Sequence, residues 1–184
     1  MKFLAGLIHV AVASQVAFDN LKLSDANGGL LVTQNDGVAT RFRNVRIGAD
    51  PEGLTVEHVI FTMDTSYAAP GTVLQVGICS SVNDEPNCGK SDLRGRVPIT
   101  VSQKKAELKW SPASPIVLNY SHHYWVVVFT DKDQPTIWLS GGKEYSNSND
   151  PRRDVLNAVN RNSVWRVDRS GPSRLVSSMK VVGK

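Results

Sequence analysis

The stretch that decides the fold is "LNYSHHYWVVVFT", Leu118 to Thr130. Two adjacent histidines and two aromatics run straight into three valines and a phenylalanine. Two readings compete: a histidine-based metal or catalytic site, or a strand in the middle of a sheet. Successive side chains on a strand point to opposite faces, so His122 and His123 do not make a chelating pair there. A zinc or copper site would need partners from elsewhere. The other histidines are His9 and His58, and no favoured ligand spacing accompanies any of them. From Tyr124 to Phe129 both alternating faces are apolar: Tyr124, Val126 and Val128 on one, Trp125, Val127 and Phe129 on the other. That pattern describes a strand covered on both sides. The histidines are expected at its surface entry, and metal ligation is not expected.

The same period of two runs through the rest of the chain. In "TVLQVGIC", Leu74, Val76 and Ile78 share a face. In "KAELKW", Ala106, Leu108 and Trp110 alternate with Lys105, Glu107 and Lys109. In "TVEHVIFTM", Glu57, Val59, Phe61 and Met63 alternate with Val56, His58, Ile60 and Thr62. Such alternation marks half-buried antiparallel strands. Further strands are expected at Leu30–Thr33, Ala39–Ile47, Arg96–Val101, Thr136–Leu139, Ser163–Val167 and Met179–Val182. Turn signals at Asn27, Asn35, Ala49, Ala68, Ser111, Asp131 and Ser140 separate them. Roughly ten short strands without crossover helices predict an all-β fold: one antiparallel β-sandwich, jelly-roll-like. One segment departs from the pattern. "SNSNDPRRDVLNAVNRN", Ser146 to Asn162, reads as an irregular or short helical insertion. In the helical version Asp150-Pro151 caps a helix through Ala158, with Val155 and Val159 on one face.

The chain has 184 residues, 41% hydrophobic and 21% charged, with a net charge of +4. That length suits a single domain able to bury its own core. Lysines and arginines are interleaved with acids, as in "TRFRNVRIGADPE", Thr40 to Glu52. A nucleic-acid binder gathers its basic residues on one face, so this stretch reads as a solvated mixed-charge surface. Residues 1–17 read as a signal peptide, with Lys2, the apolar run Phe3 to Ala13, and cleavage before Ser14 or Gln15 or after Ala17. The competing reading is a first core strand. Residues 18–184 form the domain. The apolar run is too short for a transmembrane helix, which needs roughly 20 apolar residues. No later segment is long enough either. Cys79 and Cys88 flank a loop of turn formers, "SSVNDEPN". In an exported protein they are expected to pair as a disulfide, worth roughly 2–3 kcal/mol. Asn119-Tyr120-Ser121 is a glycosylation sequon, usable only in a eukaryotic secretory pathway.

No serine-hydrolase elbow, zinc-protease helix or phosphate loop is present. The sequence therefore assigns no catalytic residue and no cofactor. "DKD", Asp131 to Asp133, lacks the glycine and closing glutamate of an EF-hand and reads as a hairpin turn. A single calcium ion between loops, held by Asp131 or Asp133 with Asp64 or Asp25, stays open. Trp110 and Trp165 read as core. Trp138, Tyr145 and Tyr67 are the candidate ligand-binding aromatics, because exposed rings on a sandwich stack on sugars. Core and rim packing is the competing reading for each.

Three stretches together resemble the bacterial extracellular domain called choice-of-anchor R. They are "VATRF", Val38 to Phe42, with the strand "LTVEHVIFTM"; "SYAAPGTVLQVGI", Ser66 to Ile78; and "IVLNYSHHYWVVVF", Ile116 to Phe129. The most specific residues are Pro70-Gly71-Thr72 with Leu74, and Leu118 with Tyr124-Trp125-Val126-Val127. The similarity covers Val38 to Ser140, and "SSMKVVGK" looks like the family's last strand. The resemblance implies a β-sandwich of secreted or surface proteins and brings no catalytic residues. This chain departs from it in lacking a C-terminal anchor, in its cysteine-flanked insertion, and in "NYSHH" before the Tyr. The expected function is a secreted, non-catalytic binding or adhesion module, with glycans or surface and matrix proteins as partners. A structural or matrix component and a polysaccharide-active hydrolase with two carboxylates across a cleft are the alternatives.

Overall fold

The computed structural model describes residues 13–25, 28–45 and 53–184. Most of the expected leader, His9, Asn27, Ala49 and the end of the Ala39–Ile47 strand lie outside them. The described chain forms fifteen strands and one 3-10 turn, Lys90–Asp92. The strands are β1 (Gln15–Asp19), β2 (Gly29–Val32), β3 (Gly37–Arg43), β4 (Leu54–Asp64), β5 (Val73–Val82) and β6 (Glu85–Pro86). Next come β7 (Gly95–Pro98), β8 (Ala106–Trp110), β9 (Val117–Leu118), β10 (His123–Thr130) and β11 (Thr136–Ser146). The last four are β12 (Asn157–Arg161), β13 (Val164–Val167), β14 (Ser173–Ser177) and β15 (Met179–Gly183). The fold is all-β and antiparallel, as expected. No helix among the described residues is long and apolar enough to cross a membrane.

Two sheets face each other. One runs β1-β15-β4-β11-β14, with β2 added to β11 and with β8 and β9 added to β4. The other runs β13-β12-β3-β10-β5-β6, with β7 added to β5. β10 lies at the heart of the second sheet, between β3 (Trp125 opposite Arg41) and β5 (Trp125 opposite Cys79). Its inner residues Val126 and Val128 join Val38, Phe42, Leu74 and Val76. From the other sheet they meet Val59, Phe61, Met63, Leu108, Trp110 and Trp138. Burying each such side chain contributes about 1.5–3 kcal/mol.

The outer face of the second sheet carries its own apolar cluster: Trp125, Val127, Phe129, Ala39, Leu156 and Trp165, with Cys79 and Leu93. This accounts for a β10 that is apolar on both sides. The cover comes from two loops rather than a third sheet. Residues 83–93 fold over it, held by the Cys79–Cys88 disulfide with Cα atoms 6.0 Å apart. The Trp165 ring stands edge-on to Phe129 at 6.1 Å, and its Nε1 donates to the Cys88 carbonyl at 2.9 Å. Gly37 is required here, because a Cβ there would enter the Phe129 ring.

Residues 146–156 form the second cover. The helical version of this segment does not form, and Asn157–Arg161 belongs to β12. The Asp150 carboxylate accepts from the backbone N–H groups of Asp154 (2.7 Å) and Val155 (3.1 Å). It also pairs with Arg174 at 2.5 Å. Arg174 Nε donates to the Val155 carbonyl at 2.9 Å. Asp150 thus caps an irregular turn instead of a helix, and the buried guanidinium satisfies the groups the turn leaves over.

Candidate binding cleft

At the end of the outer face where β10 begins, a cleft of about 760 Å³ opens. It is lined by Ser80, Ser81, Asn83, Asp84, Asn119, Ser121, His122, His123, Tyr124 and Arg169. Each wall has a local cause. Asn83 and Asp84 have φ of 50° and 65° and join β5 to β6, with Val82 opposite Glu85. Two consecutive positive-φ residues make a type I′ hairpin turn, which Asn and Asp tolerate. The turn presents the Asp84 carboxylate to the cleft. The opposite wall is the turn before β10, where Ser121 has φ of 65°. Buried Asn44 fastens it. The Ser121 N–H donates to the Asn44 carbonyl, the Asn44 N–H donates to the His122 carbonyl, and Asn44 Nδ2 donates to the Leu118 carbonyl at 2.7 Å. Tyr124 Oη accepts from the Asn119 N–H at 2.7 Å.

Beneath the cleft lies Arg41, on the outer face of β3. The stretch around it reads in sequence as solvated surface, and this expectation is corrected: Arg41 is 2% exposed. Its guanidinium lies 5.5 Å over the Trp125 ring, a cation–π contact. NH1 donates to Asp84 at 2.6 Å and NH2 to the Arg153 carbonyl at 2.5 Å. Nε has no partner. Arg169 approaches the other oxygen of Asp84 at 3.7 Å. The Arg41 hydrogen bond, helped by the charges of Arg41, Arg169 and His123, holds the Asp84 carboxyl below its usual range. Trp125 Nε1 donates to Ser81 Oγ at 3.0 Å.

The two histidines have different partners, but strand alternation is not the cause: His122 lies in the turn before β10, and both line the same cleft. His123 Nε2 donates to Asp154 at 2.7 Å, and Arg43 lies 3.6 Å from the same carboxylate. His122 Nδ1 lies 2.9 Å from the Tyr120 carbonyl. A carbonyl only accepts, so Nδ1 carries the proton and Nε2 of the neutral ring is left as an acceptor. His58 lies on β4 in the other sheet and joins neither. Neither cleft histidine hydrogen-bonds a Ser, Thr or Cys side chain among the described residues. Asp84, held ionised, is unsuited to donate a proton at neutral pH. The arrangement offers fixed donors and acceptors rather than a nucleophile–base pair.

The predicted aromatics are not brought together. Trp138 is corrected: it is fully buried, 5.8 Å from the Phe61 ring, with Nε1 donating to the Ser178 carbonyl at 2.8 Å. It faces the core because Met63, its partner on β4, does too. Tyr145 is also buried, its ring stacked on Phe18 at 6.3 Å, with Lys143 over it. Burial pushes its phenol pKa well up. Tyr67 is 63% exposed and borders a different cleft, with Asp64, Lys104 and Lys105. Asn119 stands at the rim of the main cleft. Three of the four candidate calcium ligands accept hydrogen bonds within the protein. Asp131 accepts from the Val73 N–H, Asp64 from Ser66, and Asp133 from Asn35. Among the described residues no three His, Cys, Asp or Glu side chains gather as a metal site.

No protein-family model and no curated protein matches the chain. Among solved structures it is similar to the cysteine protease and lectin-like domains of Cwp84, a surface layer associated protein of Clostridium difficile. The identity is 15% and the TM-score 0.47, over 82% of this chain and 32% of that one. The chain thus spans about a third of that structure's length.

Proposed function

We propose that this domain is a secreted, non-catalytic binding module whose polar cleft takes a glycan. The observation that carries the reading is the cleft lining. It holds Ser80, Ser81, Asn83, Asn119 and Ser121, with an ionised Asp84, Arg169 and the His122 imidazole. Hydroxyl-rich ligands need donors and acceptors interleaved over a broad, shallow surface, and preorganised ones cost least on binding. Two loops and a buried arginine hold these groups in place. The Cys79–Cys88 disulfide supports work in an oxidising compartment. The resemblance to choice-of-anchor R domains belongs to the same proposal. So does the leader: cleavage before Ser14 or Gln15 keeps β1 whole, whereas cleavage after Ala17 divides it.

The test is a glycan array followed by calorimetry on the best ligand. His122→Ala and Arg169→Ala should each weaken binding about tenfold, the cost of one charged or well-placed hydrogen bond. An array without hits, using disulfide-intact protein, sinks the glycan reading. Unchanged affinity in both variants moves the site elsewhere.

A further inference from the structure

A further cleft, of about 360 Å³, opens where edge strand β7 of one sheet meets edge strand β8 of the other. Its lining is Arg94, Gly95, Arg96 and Trp110, followed by the loop Ser111-Pro112-Ala113-Ser114-Pro115 and Ile116. No carboxylate lines it. Gly95 has no side chain to spare: a Cβ there would collide with the Trp110 indole and the Val76 carbonyl. The indole therefore lies directly across the β7 backbone.

The donors here lack acceptors. The other three tryptophans each donate their N–H: Trp125 to Ser81, Trp138 to Ser178 and Trp165 to Cys88. Trp110 is 6% exposed, and its Nε1 has no acceptor among the described residues. The ring is buried but Nε1 itself is not sealed off, so its N–H stays open to an acceptor in the cleft. Arg94 is exposed and has no hydrogen bond or ion pair among the described residues. Arg96 has a loose one, 3.9 Å to Asp131. Two guanidiniums and an indole N–H around one cleft, with no carboxylate in its lining and only the loose Asp131 contact beside it, suit an acceptor carrying negative charge.

The walls narrow the class. Pro112, Ala113, Pro115 and Ile116 give an apolar surface flanked by the hydroxyls of Ser111 and Ser114. That alternation suits a sugar ring, with its C–H face and hydroxyl rim. Pro112 and Pro115 have no N–H and so interrupt the ladder that an added peptide strand would need. We propose that this cleft binds the carboxylate of an acidic saccharide, with Arg94 and Arg96 on the carboxylate and Pro112 and Pro115 against the ring. The site is separate from the histidine-lined cleft and stands whether or not that cleft binds glycans.

The readout is the Trp110 indole N–H resonance, assigned through the backbone so that this core residue stays in place. The three hydrogen-bonded indoles serve as internal controls. Titration with digalacturonate should shift the Trp110 signal and leave the other three unmoved. Arg94→Gln and Arg96→Gln, both at exposed positions, should each weaken binding at least about tenfold with unchanged Tm. Neutral digalactose should produce no shift, and sodium acetate a far weaker one. The proposal is overturned by a static Trp110 signal, by digalactose acting equally, or by acetate matching digalacturonate, which would mark a simple anion site. An aspartate-rich peptide binding as well as digalacturonate would overturn the partner class.

Discussion

Two loops cover the outer face of the same sheet, and they are pinned by opposite means. Residues 83–93 are closed by a covalent bond, Cys79–Cys88, and by a tryptophan donating to the Cys88 carbonyl. Residues 146–156 have no covalent tie. They fold around Asp150 and Arg174, an ion pair with both side chains less than a tenth exposed. The first loop sends Asp84 to the cleft, and the second sets Asp154 against His123 of the cleft wall. Arg41 reaches both, through Asp84 and the Arg153 carbonyl. The lesson is about where each constraint acts. A disulfide works largely by restricting the unfolded chain. A buried ion pair works wholly in the folded state, where losing one partner leaves the other stranded.

That contrast predicts an order of effects. Arg174→Met should be the most damaging, about 3–5 kcal/mol by urea unfolding, because it leaves Asp150 buried and unpaired. The double change Cys79→Ala with Cys88→Ala should cost about 2–3 kcal/mol for so short a loop. If the disulfide variant proves the weaker of the two, the comparison is backwards. Arg41→Met should cost about 1–2 kcal/mol, since two charged bonds are lost while the orphaned Nε is removed. Its signature is in amide exchange: protection should fall around Asp84 and around Arg153 together. Loss in one loop alone would show that Arg41 does not couple them.

The smallest effect concerns pH. Arg41 depresses the Asp84 pKa in the folded state. Its stabilisation is therefore present above the unfolded carboxylate pKa and lost as pH falls through the lowered folded one. The side chain is 57% exposed, so screening keeps the contribution below about 1 kcal/mol. Chemical-shift titration should place the Asp84 midpoint below that of an unperturbed aspartate, and Arg41→Met should move it upward. A midpoint indifferent to that substitution would remove the electrostatic account.

Much of the architecture was legible in the chain, for a definite reason. "AELKW" is β8 residue for residue, because one face of that strand meets the core and the other meets water. The two-sided apolar pattern of Tyr124 to Phe129 identified the middle strand. In β4 the alternation held from Val59 to Met63 but reversed before it, where the pairing with β15 shifts register between Val182 and Gly183. A bulge flips the faces without a residue signature. β12 was hidden because Asn157, Asn160 and Arg161 carry no apolar alternation. Its place comes from pairing with β3, a tertiary effect. The cleft was legible only in part. The histidines marked its wall. Arg41, Asp84, Asp154 and Arg169 lie far apart in the chain, and only sheet register brings them together. Parity did offer a hint. Arg41 and Arg43 alternate with Thr40 and Phe42, so both share a face opposite one core residue. Trp138 misled because its strand turns that ring inward against Phe61.

β1 hydrogen-bonds to β15, with Gln15 opposite Gly183. A chain emerging from the ribosome therefore exposes β1 long before its neighbour exists. The entropic toll of closing so long a loop grows only slowly with length, but the search for such distant contacts is slow. The first sheet should be the last part of the molecule to mature. Until β15 arrives, the open edge of β4 is a place where a second nascent chain could pair wrongly.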